Sequence, residues 1–173
     1  GLLLAGTASL FFGTNAYMAS ILEQRGELAR LDTTLFSFNF AQVASSALML
    51  WMARHWVGRR GPILWSAGLS VAAILGFILV EGWVGVAFAV GMSFFAGILL
   101  ILVVSLPPYL VSSAEAGRLS AGNFTIGYTV AFLVPLIGGL LADTTGNALA
   151  AIGFISLCAA LTVPLALRLK LPN

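Results

Sequence analysis

Charge is what this chain lacks most. Asp, Glu, Lys and Arg make up 8% of its 173 residues, where a soluble domain of average composition carries about one quarter. So few charges cannot cover the surface of a soluble fold. No Asp, Glu, Lys, Arg or His falls in the middle of any long apolar run. A charge at the centre of a membrane span costs ~2.5–3.5 kcal/mol on an insertion scale, and such residues mark proton relays and counter-ions. The chain offers neither. It has one cysteine, Cys158, inside an apolar run; no intrachain disulfide is possible, and the thiol reads as a small packing residue. It has one histidine, His55, in a polar loop, which argues against a membrane-embedded Ser–His protease of the rhomboid type. Gly-x-Ser-x-Gly, the two-Asn signature of a water channel and any metal-ligand spacing are all missing. No enzyme, cofactor or metal site is expected. The net charge of +2 and pI near 9.1 rest on few groups, placed where membrane topology wants them, so nucleic acid is not an expected partner.

Apolar residues are present in abundance. They are 60% of the chain, mean hydropathy is +1.05, and they come in blocks near the ~20 residues that cross a bilayer. The expected fold is all-α and polytopic, one domain over 1–173 embedded in lipid. Its six membrane helices are expected at about 2–22, 33–53, 63–80, 83–106, 118–141 and 148–167. Glu23-Gln24-Arg25-Gly26-Glu27 ends the first helix, and Asp32 or Thr33 is the expected N-cap of the second. Pro62 suits position N1 of the third. Glu81-Gly82 makes a turn so short that the third and fourth helices must be antiparallel neighbours. Pro107-Pro108 ends or kinks the fourth, 112–117 reads as a polar loop, and Pro135 as a kink in the fifth. Residues 143–147 form the next turn and 168–173 a polar tail. The first run lacks a basic leader and is too long for a signal peptide. The chain opens at the edge of a span without an initiator Met, so a fragment or an excised half is expected. Small-xxx-small pairs such as Ala87/Gly91 and Gly138/Ala142 suggest close helix packing. Residues 1–80 and 83–167 could form inverted three-helix repeats, although no residue pattern matches between them.

Six spans put both termini on one side. The loops on that side, with the tail, carry Arg54, Arg59, Arg60, Arg118, Arg168 and Lys170 against Glu115 alone. The opposite loops carry Arg25 and Arg30 against Glu23, Glu27, Asp32, Glu81 and Asp143. Positive charge is retained inside, so both termini are expected in the cytoplasm, most simply at a bacterial inner membrane.

Neutral polar residues are the remaining candidates for a solute pathway. Asn39, Gln42 and Ser46 share one face of the second helix. A side-chain amide facing lipid would lose its hydrogen bonds, so this stripe should face protein or a water-filled cavity; interhelical tie and pathway lining both remain open. Asn15 and Tyr17 lie in the first helix on roughly opposite faces, and Tyr17 also suits an interfacial anchor. Tyr128 shares a face of the fifth helix with Thr125, while Asn123 reads as a cap or snorkelling residue.

The loop Arg54-His55-Trp56-Val57-Gly58-Arg59-Arg60 resembles the loop between the second and third helices of a major facilitator half. Gly58-Arg59-Arg60 matches the end of that pattern; His55 and Trp56 stand where an acidic and a basic residue would be. Ala41-Gln42, Met52-Ala53-Arg54-His55, Ala116-Gly117-Arg118-Leu119 and Ile126-Gly127-Tyr128, with Pro135 and Gly146-Asn147, resemble the C-terminal half of the cyanate/nitroimidazole branch of that superfamily. The resemblance implies a secondary transporter half. With a missing N-terminal six-helix half it would move a small polar or anionic solute by alternating access. The first, second, fourth and fifth helices would line the pathway, with Asn15, Tyr17, Asn39, Gln42 and Tyr128 as candidate contacts. Arg54, Gly58, Arg59, Arg60 and Arg118 would set topology or gate the cytoplasmic side. In this branch the other half supplies the pathway charge. A six-span membrane module without transport, or a truncated product, is the alternative.

Overall fold

The computed structural model describes residues 1–169 and Leu171; Lys170, counted above with the basic tail, lies outside them. The described residues are helical, with no strand among them. Six helices are long and apolar enough to cross a membrane: α1 Leu2–Gln24, α2 Leu31–Trp56, α3 Arg60–Leu79, α4 Gly82–Val104, α5 Ser113–Thr145 and α6 Ala148–Leu167. They run alternately up and down, so one end of the bundle collects Arg54, Arg59, Arg60 and Arg118, and the other Glu23, Glu27, Glu81 and Asp143. These are called the basic end and the acidic end below.

The boundaries differ from expectation in ways that have local causes. A 3-10 turn, Leu28–Arg30, leads straight into α2, so Asp32 and Thr33 sit inside the first turn and neither caps it. The Thr34 hydroxyl donates to Arg30 O instead, and Asp32 still suits the positive end of the helix dipole. Helix α3 starts at Arg60, which makes Pro62 its third residue rather than its first; a proline is tolerated there because first-turn N–H groups have no helical partner. Helix α4 stops at Val104, and a separate single turn, Pro107–Leu110, follows. The expected polar loop at 112–117 is helix from Ser113 onward. Ser112 and Glu115 carry the S-x-x-E start signal, and the Ser112 hydroxyl donates to the Glu115 carboxylate at 2.8 Å. At its other end α5 continues to Thr145 and closes on Gly146, whose φ of 67° is the left-handed cap that glycine favours. Helix α6 matches its expected span because Asn147 caps it, accepting from Leu149 N.

Helices α1 and α4 are the most enclosed of the six, and α2 and α5 the least. Helix α4 packs along α3 and α2, and α1 along α5 and α6, while α3 meets α6 at the back. This leaves α2 and α5 as two flanks in front of α1. The core divides into two apolar clusters. Met18, Ile21, Phe38, Phe77, Met92 and Ile152 belong to the cluster that reaches toward the acidic end; Leu4, Met49, Ile63, Ile98 and Leu102 belong to the other. Small residues set the closest approaches. A Cβ at Gly138 would meet Ala151 of α6, whereas Gly91 faces open space and Ala87 is exposed. Of the two small-residue pairs, Gly138/Ala142 therefore lies against a neighbour through Gly138, and Ala87/Gly91 packs against nothing here.

Candidate functional site

The front of α1, between the flanks, carries the neutral polar residues. Helix α2 is held there by α4. Gln42 Nε2 donates to Ser93 O at 2.8 Å, and the Ser93 hydroxyl donates to Phe38 O at 2.6 Å. Gly97 lets the two helices close to this distance, since any Cβ on it would run into Ser45 Oγ and Gln42 Oε1. One donor of the Gln42 amide is thus committed to the α4 backbone. The side chain is only half-buried and also borders a hollow of about 80 Å³ with Thr7, Ala8, Phe11, Phe12, Ala96, Leu100 and Tyr128. Gln42 of α2 and Tyr128 of α5, far apart in sequence, border the same hollow on either side of α1.

A second, wider hollow of about 390 Å³ adjoins the first, sharing Phe12 and Tyr128, and adds Ala16, Tyr17, Phe132 and Pro135. Tyr17 spans α1 and α5, its hydroxyl donating to Pro135 O at 2.8 Å beside Gly139. Asn15 Nδ2 donates to Asn39 Oδ1 at 2.9 Å, and Asn39 Nδ2 donates to Leu35 O at 2.8 Å. Asn15 and Asn39 form one exposed tie between α1 and α2. Asn15 and Tyr17 reach different neighbours, as their spacing requires. Tyr128 stacks on Phe124, with centroids 5.9 Å apart.

Chemically, the front offers amides, a phenol, a threonine hydroxyl and aromatic faces. Among the described residues, no charged side chain lines either hollow. The residues assigned above to topology or gating lie at the basic end. Arg54, Arg59 and Arg118 are exposed. Arg60 Nη1 donates to Leu167 O at 3.0 Å. Gly58, with φ of 80°, lies under the Tyr109 ring, so a side chain there would meet both a strained backbone and an occupied space.

The sequence reading missed three kinds of residue. Phe11, Phe12 and Thr7 line the front but look like any span residue. Ser93 is a small hydroxyl in an apolar run, yet it links α4 to α2. Gln24, Arg25 and Glu27 were read as the end of a span and, for the two charged ones, as loop charge, and not as partners of other helices.

The sequence is 30% identical over 161 residues to the cyanate transport protein CynX of Escherichia coli strain K12, a match that covers 91% of this chain. The chain resembles a cyanate transporter. It spans 40% of that relative's length. The resemblance to the cyanate branch of the major facilitator superfamily therefore rests on nearly the whole chain, and six apolar helices fit one half of such a transporter. No family model and no solved structure matches.

Proposed function

We propose that the chain is one six-helix domain forming half of a secondary transporter, which moves a small polar or anionic solute by alternating access with a second six-helix half. The likeness to a cyanate transport protein over 91% of the chain carries this reading. The open front of α1 supports it, because α2 and α5 flank a polar and aromatic hollow that a second half would roof. Asn15, Tyr17, Asn39, Gln42 and Tyr128 are the proposed solute-facing residues. Arg54, Gly58, Arg59, Arg60 and Arg118 are assigned to the cytoplasmic gate and to topology. Because no charged side chain among the described residues lines the hollows, the group that neutralises an anionic solute is assigned to the other half. Both termini are assigned to the cytoplasm of a bacterial cell, because the basic end carries the arginine excess. The test is flux into proteoliposomes that hold this chain assembled with its partner half, using labelled cyanate and other small polar or anionic solutes. Time-dependent accumulation, with thermal stabilisation by the transported solute, is expected. An assembled twelve-span protein that neither moves nor is stabilised by any of them would overturn the reading in favour of a six-span module without transport.

A further inference from the structure

Three side chains at the end of α1 and in the loop after it reach the ends of four other helices. Gln24 Nε2 donates to Gly146 O at 3.1 Å, just past the end of α5, while Gln24 Oε1 accepts from Ala148 N, the first residue of α6, at 2.8 Å. The Arg25 guanidinium donates to Phe77 O and Ile78 O at 2.8 and 3.0 Å and to Val80 O at 3.4 Å, covering the end of α3, and lies 4.9 Å from the Phe77 ring centre. Glu27 Oε1 accepts from Gly82 N at 2.7 Å, at the start of α4. Arg30 pairs with Glu27 and lies over Trp83. Every sign is favourable: a cation sits on the carbonyl end of one helix and an anion on the amide end of the next. Helix ends leave such groups without helical partners, and bonds to charged groups are the stronger kind.

At the basic end Arg60 ties the start of α3 to the end of α6 through Leu167 O, but the connection between α4 and α5 is built differently. Between α4 and α5 the chain passes through Ser105, the single turn Pro107–Leu110, and an extended Val111 and Ser112. Among the described residues, no side chain of 105–112 hydrogen-bonds to another long helix except Ser112, which bonds within the first turn of α5. The connector is held by packing alone: Leu106 and Pro107 are buried, Leu106 in the basic-end core cluster, and the Tyr109 ring lies on Gly58.

We infer that this unit is mechanically lopsided: the 24–27 loop clasps both helix hairpins into one block at the acidic end, and the unit yields at the basic end, through the 105–112 connector. Closing and opening of any pathway then changes the shape of this unit at the basic end, while the acidic end moves as a whole.

Amide hydrogen exchange on the intact protein in lipid nanodiscs tests this without any transport measurement. Amides of 77–82 and 145–149 should exchange at least about tenfold more slowly than those of 105–112, as expected when local opening differs in free energy along a chain. Arg25→Met should speed exchange at 77–82 about tenfold, the effect of losing a charge-assisted cap, and leave 105–112 and the Gln24-held turn at 145–149 unchanged. Gln24→Leu should do the reverse. Equal exchange at the two ends of the unsubstituted protein would overturn the inference, and so would an Arg25→Met protein that loosens everywhere at once. If the variants do not fold, the comparison between the ends still decides. Absence of flux leaves the inference standing, and its failure leaves the transport reading standing.

Discussion

Replacing Gln42 by Met separates the two roles this residue can have. Methionine keeps the length and most of the volume, so the contact with Gly97 stays filled while the amide is lost. The structure shows what disappears: one bond of 2.8 Å to Ser93 O and a long one of 3.4 Å to the Ser93 hydroxyl. Side-chain bonds between membrane helices average ~0.6 kcal/mol and reach ~1.7 kcal/mol. Ser93 O keeps its place in the α4 ladder, so no orphan carbonyl adds to the cost. The expected destabilisation is about 1 kcal/mol, read by reversible unfolding of the purified protein in mixed micelles. If Gln42 also meets the solute, flux should fall by tenfold or more, well beyond what about 1 kcal/mol of stability explains in a protein that remains folded. Unchanged flux and unchanged apparent affinity, with the stability loss as calculated, would refute the pathway assignment and leave Gln42 as a tie between α2 and α4. A loss above about 3 kcal/mol would refute the one-bond accounting itself.

Other outcomes follow from single contacts. Gly97→Val should destabilise by about 1–3 kcal/mol through overpacking against Ser45 and Gln42, again by unfolding titration; a neutral result would mean that α2 and α4 separate easily. Asn147→Ala removes the α6 cap and should cost about 1 kcal/mol, with faster amide exchange at Leu149 as the local readout. A fluorescent or phosphatase reporter fused at the C-terminus should give the cytoplasmic signal, and an external signal would reverse the assignment of the basic end.

The six helices were legible because apolar blocks of spanning length are hard to mistake. Helix α6 was legible at both ends, since Asn147 and the polar tail bracket an uncharged, mostly apolar run. The start of α5 was not. Ser113 to Gly117 looks polar, and polar residues next to a span read as loop, although Ala and Glu are strong helix formers and Ser112–Glu115 is a start signal. Gln42 and Tyr128 stood out as polar groups in apolar runs, and the fold brings both to one hollow. Phe11 and Phe12 could not stand out. In a membrane protein the same apolar residues face core, lipid and cavity, so helical periodicity loses its power to tell them apart. The 24–27 loop was obscured for a related reason. Polar and charged residues after a span satisfy topology on their own, and nothing in sequence shows that Gln24, Arg25 and Glu27 reach four helix ends.

The length of α5 has a geometric consequence. At 33 residues it is about 50 Å long at 1.5 Å per residue, against a hydrocarbon core of about 30 Å. Its acidic end is held beside Gly146 by Gln24, and Tyr17 grips it at Pro135. From Pro135 back to Ser113 the helix runs about 33 Å, with Gly127 seated against Leu4 of α1. A bend of roughly 10° at the proline, smaller than the sharp kinks above about 20° found at prolines, would swing the far tip by about 6 Å, the width of a small solute, and would open the contact between Gly127 and Leu4. Arg118 rides near that tip, so a modest local deformation mid-membrane becomes a displacement of charge at the surface.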